Sequence, residues 1–389
     1  MNYFKFKEIK NTDMTNELAN VGFVKTYINI ASEKYMYKNF KIFDLTLPQA
    51  NILKQTAISF GADCGVHRDI LTANTDKTDC ILGGSVSTIR KITKKLKTQP
   101  FKMKNLAEEL ESTLDFKLTP IKIKNTIFDF SRPYIVGVVN VTTNSFSDGG
   151  DFFETDQAKN HILKLIKDGA DIIELGAEST KPFSTPISPN AQIEKLLPLL
   201  KFTEEQGINT PISIDTRSAE VAKICLDNGA NIINDVSGFE YDSNLVKVVA
   251  EFNCPVIIQH TKGTPENMQV SPHYENVTEE IFNDLKERYN FAIASGISSK
   301  NVILDVGIGF GKTREDNFEL IKRAEEFKSL NCPIMYGVSR KSLLDMQNAD
   351  NKEKDIFTLA LNSILIERGV NFIRVHNVEL HKKLINMLY

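Results

Sequence analysis

With 389 residues, of which 41% are apolar, the chain is long enough for a barrel of about 250 residues and a smaller second unit. Its formal net charge of −3 argues against nucleic acid or an anionic membrane as the main partner, and no apolar run reaches the roughly 18 residues of a membrane span. The five cysteines are scattered, odd in number and without metal-ligand spacing, which predicts reduced thiols in a cytoplasmic protein.

The first part of the chain, residues 1–118, predicts a small α/β domain, and none of its residues specifies a role. Residues 119–130 are interpreted as a linker that leads to a second domain over residues 131–389. The elements predicted in the first part are the strand Phe40–Leu45, the helix Leu47–Phe60, the strand Thr78–Leu82, the helix Val86–Leu96 and a further helix at Leu106–Leu114.

The second part alternates short apolar runs with longer segments that have helical spacing. Eight such repeats over roughly 250 residues predict a (β/α)8 TIM barrel, with parallel strands buried on both faces. An open doubly wound sheet is the alternative, but it usually carries a glycine-rich dinucleotide turn after its first strand, and none is present. The predicted strands are Tyr134–Val139, Asp171–Leu175, Pro211–Asp215, Asn231–Asp235, Pro255–Gln259, Val302–Asp305, Ile334–Gly337 and Phe372–Val375.

The loop after the first of these strands is dense in hydroxyl, amide and carboxylate side chains. The apolar segment Tyr134–Val139 ends abruptly at Asn140, and paired glycines close the loop at Gly150. Connecting loops rarely carry so many directional groups directly after a buried strand. The loop therefore predicts a site for an anionic or polar ligand.

Polar side chains end the other predicted strands as well. The C-terminal strand ends build the active site of a (β/α)8 barrel, so these side chains are expected around one rim. A single such residue is often only a helix N-cap, and this interpretation stays open for Asp235 and Ser339. The set consists of Asn140, Glu174, Asp215, Asn234 with Asp235, Gln259 with His260, Asp305, Ser339-Arg340-Lys341, and Arg374 with His376.

Four of these residues, Asp215, Asn234, Asp305 and Lys341, combine acceptors, an amide and one cation. Buried carboxylates can accept from a ligand with several N–H donors, such as a guanidine-like ring edge, and the lysine can donate to a ring carbonyl. The structural alternatives are an ion pair between Asp215 and Arg217, and a turn role for Asp305.

A second group has cationic and amide character and suits a phosphate or pyrophosphate. It consists of Asn140, Lys181, Arg374 and His376. Arg374 and His376 are two apart on one strand, so their side chains project the same way. The glycine-rich segment 307–312 resembles a phosphate cradle but lacks the Gly-Lys-Ser/Thr ending of an NTPase loop.

Taken in order, seven motifs from about Ser131 to the C-terminus resemble those of the dihydropteroate synthase family. Seven ordered motifs are highly specific together. They are Val-Asn-Val-Thr-Thr-Asn-Ser-Phe-Ser-Asp-Gly-Gly (139–150), Asp-Ile-Ile-Glu-Leu-Gly-Ala-Glu-Ser-Thr-Lys-Pro (171–182), Ile-Ser-Ile-Asp-Thr (212–216), Ile-Ile-Asn-Asp-Val-Ser-Gly (232–238), Asp-Val-Gly-Ile-Gly-Phe-Gly-Lys (305–312), Gly-Val-Ser-Arg-Lys-Ser (337–342) and Arg-Val-His-Asn (374–377).

The resemblance implies a transferase of folate biosynthesis and a target of sulfonamides, which mimic 4-aminobenzoate. Such an enzyme condenses 6-hydroxymethyl-7,8-dihydropterin pyrophosphate with 4-aminobenzoate and releases 7,8-dihydropteroate and pyrophosphate. The family also implies Mg²⁺ as the cofactor and a homodimer. By position, the resemblance assigns the pterin to Asp215, Asn234, Asp305 and Lys341, the Mg²⁺-pyrophosphate to Asn140, Lys181, Arg374 and His376, and 4-aminobenzoate to Thr180 and Ser339; the catalytic residues are Asp215, Asp305, Lys341 and Arg374.

The chain departs from the family pattern at the anion and loop-closure positions. Thr143-Asn144 replaces Pro-Asp in the first loop, and Lys181 replaces an arginine, which keeps the charge but loses the bidentate fork. These changes motivate the hypothesis that pterin binding is normal while loop closure or turnover differs. The alternatives are a catalytically weakened pterin-binding protein and a pterin-dependent methyltransferase with the same barrel.

Overall fold

The computed structural model describes residues 4–9, 13–70, 75–141, 150–178, 186–264, 267–344 and 350–389, with the backbone alone for residues 150–154. The chain forms two compact units, Met1–Phe116 and Lys117–Tyr389. All five cysteines are buried and unpaired. In the described part of the chain, no helix is long and apolar enough to cross a membrane.

The N-terminal unit is a three-stranded antiparallel sheet in which β3 (Lys77–Ser85) lies between β1 (Tyr37–Thr46) and β2 (Asp63–Val66), with helices that bury one sheet face. Helix α3 (Leu47–Ser59) begins after Thr46, whose backbone and side chain form a capping box with Gln49. Leu53, Leu82 and Ile92 are fully buried between the sheet and the helices. The elements are α1 (Met14–Asn20), α2 (Ile28–Ser32), β1 (Tyr37–Thr46), α3 (Leu47–Ser59), β2 (Asp63–Val66), β3 (Lys77–Ser85), α4 (Val86–Leu96) and α5 (Met103–Asp115).

The segment predicted as a linker, residues 119–130, contains an antiparallel hairpin of β4 (Ile121–Ile123) and β5 (Thr126–Phe128). Its side chains Ile121, Ile123 and Phe128 belong to the cluster that fills the barrel interior. The ring of Phe128 lies 4.8 Å from that of Tyr134 and 5.9 Å from that of Phe372. Because these two aromatic residues begin their strands, the hairpin closes the N-terminal end of the barrel.

The eight remaining strands form a closed parallel barrel, which confirms the predicted TIM barrel. Helices alternate with the strands and pack outside the barrel. The elements are β6 (Tyr134–Asn140), α6 (Gly150–Asp168), β7 (Ile172–Gly176), α7 (Pro189–Glu205), β8 (Ile212–Asp215), α8 (Ala219–Asp227), β9 (Ile232–Asp235), α9 (Leu245–Phe252), β10 (Val256–Gln259), α10 (Val277–Ala294), β11 (Val302–Asp305), α11 (Arg314–Lys322), β12 (Ile334–Tyr336), α12 (Asn351–Glu367), β13 (Phe372–Val375) and α13 (Val378–Leu388).

The barrel interior is apolar at its N-terminal end and polar at its C-terminal end. An interior layer is formed by Val136, Ile172, Ile232, Ile257, Ile303, Met335 and Phe372. Side chains alternate along a strand, so the residue two positions further on each strand faces the same interior. That step leads to the polar side chains of Glu174, Asn234, Gln259, Asp305 and Arg374.

Candidate active site

Asp215 and Asn234 lie side by side at the ends of β8 and β9, where they are direct register partners. Asn234 Nδ2 donates to Asp215 Oδ1 at 3.3 Å. The Asn234 side chain is buried, and its Oδ1 has no hydrogen-bond partner among the described residues. A buried acceptor without a partner destabilises the ligand-free fold, which indicates that a ligand donates to it.

Asp305 and Arg374 form an ion pair across the barrel mouth, with Arg374 Nη1 2.7 Å from Asp305 Oδ2. Arg374 Nη2 also donates to Glu174 Oε2 at 3.0 Å. The second oxygen of Asp305 accepts from the backbone N–H of Gly307 at 2.8 Å. The turn role considered for Asp305 is therefore present, but it occupies one carboxylate oxygen only. The ion pair with Arg217 that was considered for Asp215 does not form in the described part of the chain, because Arg217 makes a bidentate ion pair with Glu178.

Lys341 follows β12 and extends over the glycine-rich loop after β11. Its Nζ donates to the carbonyl of Ile308 and lies 4.3 Å from the ring centroid of Phe310. Gly309 has a φ of 81°, and a Cβ there would lie 3.0 Å from Lys341 Cδ, so the loop requires glycine at this point. Burial lowers the pKa of Lys341 to about 7, although the charge of Asp305 opposes that shift.

The pKa of Asp215 also moves toward neutral pH, but upward rather than downward. Burial, reinforced by the negative charge of Glu174, raises it to about 8, while Arg374 opposes the rise. The carboxyl is only partly exposed at the mouth of the barrel. Asp215 and Lys341 therefore both change charge near neutral pH, a pattern typical of functional sites.

Ser339 and His376 contact each other directly at the mouth. Ser339 Oγ lies 2.9 Å from His376 Nδ1 and accepts from the backbone N–H of His376 at 3.2 Å. The hydroxyl therefore links two strand ends, which is not the N-cap role considered for it. Burial lowers the pKa of His376 to about 4, so the imidazole is uncharged at neutral pH. It can therefore offer an anion a hydrogen bond but no positive charge.

Arg340 holds the segment that presents Ser339 and Lys341. It adopts a left-handed φ of 56° and makes a bidentate ion pair with Asp355 of α12, at 2.8 and 2.9 Å. Asn377 Nδ2 donates to the same carboxylate at 3.1 Å. Asp355 was not among the predicted site residues, because its spacing on an amphipathic helix gives no sign of this partner.

The glycine-rich segment 307–312 is anchored by its own last residue, the buried Lys312. Lys312 Nζ lies 2.9 Å from His260 Nδ1 and donates to the Phe310 carbonyl at 2.9 Å. Burial lowers the pKa of Lys312 well below its usual value. A Cβ on Gly307 would overlap the carbonyl oxygen of His260. The lysine thus fastens the loop to the end of β10, rather than serving as a phosphate ligand.

Asn140 ends β6 with an exposed side chain. Gly176 lies between it and Asp215, since a Cβ there would be 3.4 Å from Asn140 Oδ1 and 3.6 Å from Asp215 Oδ2. Carboxylate and amide oxygens of this kind suit Mg²⁺, which usually keeps several waters and binds substrate phosphates. No cluster of three His, Cys, Asp or Glu ligands occurs among the residues that the structure describes. An Mg²⁺ ion here would therefore depend on ligand oxygens.

Four predicted positions cannot be placed. Thr180 and Lys181, assigned to 4-aminobenzoate and pyrophosphate, lie outside the described residues. The same holds for Thr143 and Asn144, where the chain departs from the family pattern.

Comparison with known proteins identifies the class of protein to which this chain belongs. Residues 136–376 match the sequence model of the family described as pterin binding enzyme. A closed barrel with two carboxylates, an amide and a lysine at its mouth thus defines a pterin-binding enzyme. The chain is 41% identical over 249 residues to the dihydropteroate synthase of Clostridium beijerinckii, a match to 64% of this chain and 90% of that protein. It belongs to the dihydropteroate synthase family, as its motifs predict.

A solved structure and an archaeal relative extend the comparison. The structure of Xanthomonas albilineans dihydropteroate synthase with 4-aminobenzoic acid is 29% identical, with a TM-score of 0.65, and the match covers 70% of this chain and 97% of that one. A probable bifunctional folylpolyglutamate synthase/dihydropteroate synthase of Haloferax volcanii is 32% identical over 343 residues, 85% of this chain and 40% of that protein. The second match is longer than residues 117–389, so it extends into the N-terminal unit.

Proposed function

We propose that the protein condenses 6-hydroxymethyl-7,8-dihydropterin pyrophosphate with 4-aminobenzoate to give 7,8-dihydropteroate and pyrophosphate. The observation that carries this proposal is the group formed by Asp215, Asn234, Asp305 and Lys341 at one barrel mouth. The C. beijerinckii relative and the X. albilineans protein, which binds 4-aminobenzoic acid, support the same reaction.

The pterin ring fits the donors and acceptors of the polar interior. Asn234 Oδ1 is a buried acceptor that awaits an N–H group, and the carboxylates of Asp215 and Asp305 can accept from the amino-pyrimidine edge. Lys341 has donors in excess of the Ile308 carbonyl that it already contacts, so it can also donate to a ring carbonyl. A ligand that brings both donors and acceptors would satisfy all of these groups together.

The reaction breaks the C–O bond between the pterin methylene carbon and pyrophosphate and forms a C–N bond to the arylamine, which loses a proton. The pterin ring can delocalise the cation that develops as pyrophosphate leaves. Carboxylates at Asp215 and Asp305 would stabilise that cation electrostatically. The enzyme therefore requires no covalent nucleophile.

The departing pyrophosphate requires positive charge and hydrogen-bond donors. We assign this role to Arg374 and His376, which lie at the end of β13, together with Lys181. Mg²⁺ bound with the substrate would neutralise part of the pyrophosphate charge, and Asn140 is the described residue that would hold it. Ser339 and Thr180 would adjoin the 4-aminobenzoate.

Release of pyrophosphate that depends on 4-aminobenzoate tests the proposal. The purified protein should release pyrophosphate and form dihydropteroate only when both substrates are present, and a sulfonamide should inhibit it. A pterin-binding protein without catalysis would bind the pterin and release nothing, and a methyltransferase would not respond to 4-aminobenzoate. Asp215→Asn serves as the control, because it removes a carboxylate that touches the ring.

We also propose that the active form is a homodimer, with α12 at the interface. Ile356 and Ile364 lie eight residues apart on this helix, and they are 60% and 40% exposed. Exposed apolar residues at helical spacing suit a protein contact. Ile356→Glu should shift the protein from dimer to monomer in analytical ultracentrifugation, and an unchanged sedimentation coefficient would contradict this interface.

A further inference from the structure

Gln259 is a buried amide at the end of β10 that the proposed chemistry does not use. It has no exposed surface. It lies two residues after Ile257, a member of the interior layer, so its side chain has the interior parity. Its direct register partner on β11 is Asp305, which places the two polar side chains beside each other in the barrel mouth.

The orientation of this amide follows from the hydroxyl that it contacts. Thr261 Oγ1 donates its only proton to the carbonyl of Val236 at 2.6 Å. The hydroxyl must therefore accept from Gln259, and Nε2 lies 3.2 Å away. The amide NH₂ of Gln259 consequently points to Thr261, and its Oε1 is left as the free end.

Gln259 Oε1 is buried and has no hydrogen-bond partner in the described part of the chain. Asn234 Oδ1, on the neighbouring strand β9, is in the same condition. Two unpartnered amide oxygens on adjacent strands of one interior are costly in a ligand-free fold, and both are satisfied if a ligand brings N–H groups. The pterin has several such donors along its amino-pyrimidine edge.

We propose that Gln259 is a further specificity residue of this chain, whose Oε1 accepts a hydrogen bond from an N–H group of the pterin. The inference rests on the proposed function, since it names one more contact in the same pocket. Thr261 is its positioning residue, because the hydroxyl fixes which end of the amide faces the ligand.

Gln259→Met tests the contact, because methionine has a similar length and no hydrogen-bonding group. The variant should bind 6-hydroxymethylpterin at least tenfold more weakly in calorimetry and show a similar rise in KM for the pterin substrate. Its KM for 4-aminobenzoate should stay within twofold. The ligand-free variant should melt at the same temperature or higher, since an unsatisfied polar group has been removed.

Two further variants keep the test decisive. Thr261→Val frees the amide to rotate and should weaken pterin binding less than Gln259→Met does. Asn301→Leu is the control: its amide is also buried, but it bonds to Asn253 at the opposite end of β11, so it should lower the melting temperature and leave pterin affinity unchanged.

An unchanged pterin affinity in Gln259→Met, together with a lower melting temperature, would overturn the inference and make the amide structural. The result is separable from the proposed function. If the wild-type protein makes no dihydropteroate, the proposed function fails, but the affinities of wild type and variant for 6-hydroxymethylpterin still decide the role of Gln259.

Discussion

The guanidinium of Arg374 lies 2.7 Å from the carboxylate of Asp305 and also contacts Glu174. In the ligand-free barrel, Arg374, which we assign to pyrophosphate, is thus balanced by Asp305, which we assign to the pterin. The pyrophosphate part and the pterin part of the site are therefore linked by one ion pair. A change at either half should therefore alter the electrostatics of the other.

Arg374→Met should lower kcat/KM by at least about a hundredfold, because a preorganised cation near a departing anion contributes on this scale. It should also leave Glu174 and Asp305 without their cation. Arg374→Lys retains charge but not the planar fork, so it should recover part of the loss. Steady-state kinetics with the pterin substrate varied would measure both. Equal activity in the two variants would indicate that geometry, rather than charge, is what Arg374 supplies.

The pH dependence of the reaction should be bell-shaped, with its maximum between 7 and 8. Activity requires Asp215 as a carboxylate and Lys341 as an ammonium. Because the pKa of Asp215, about 8, exceeds that of Lys341, about 7, the two limbs belong to the pair and bend near 7 and near 8. Glu174→Gln removes a negative charge that raises both pKa values, so it should move the whole kcat/KM profile to lower pH. A profile that stays in place or moves to higher pH would contradict this origin.

Lys341 should also give the folded state a distinctive pH dependence. Between pH 7 and 10.5 the unfolded chain holds the Lys341 proton and the folded chain does not, so stability rises with pH in this window by up to about 1.4 kcal/mol per unit. Lys341→Met removes this contribution. Its gain in unfolding free energy over wild type should be largest near pH 7 and shrink toward pH 10.5, as urea titrations at both pH values can show. Lys383→Met, at a well-exposed lysine, should show no such trend.

Asn144→Asp tests the hypothesis that loop closure limits turnover. The position lies outside the described residues, so the expectation depends on the sequence alone. Restoring the acidic residue of the family pattern should raise kcat by up to about tenfold, which corresponds to about 1.4 kcal/mol of barrier. The affinity for 6-hydroxymethylpterin should not change. Ordinary turnover in the wild type, with no effect of the substitution, would refute the hypothesis.

Barrel and rim were predictable from sequence because parallel strands buried on both faces are short apolar runs that end in polar residues. The predicted strands Val302–Asp305 and Phe372–Val375 have the same bounds in the structure. The partnership of Glu174 with Arg374 was not predictable, because 200 residues separate them and only barrel closure brings them together. The orientation of the Gln259 amide depends on which partner receives the single hydroxyl proton of Thr261, and no sequence pattern reports that.

The hairpin at residues 121–128 supplies the sharpest test of the domain boundaries. As an extended linker it would contribute nothing to the barrel, but Ile121, Ile123 and Phe128 are buried against the first residues of the barrel strands. A chain that begins at Lys117 should therefore fold and retain activity. A chain that begins at Ser131 should lose about 5 kcal/mol or more of stability, because burial of three large apolar side chains is removed and Tyr134 and Phe372 become exposed. Urea unfolding and pyrophosphate release would compare the two chains. Equal stability would restore the linker interpretation, whereas inactivity of the longer chain, if folded, would give the N-terminal unit a role in the reaction.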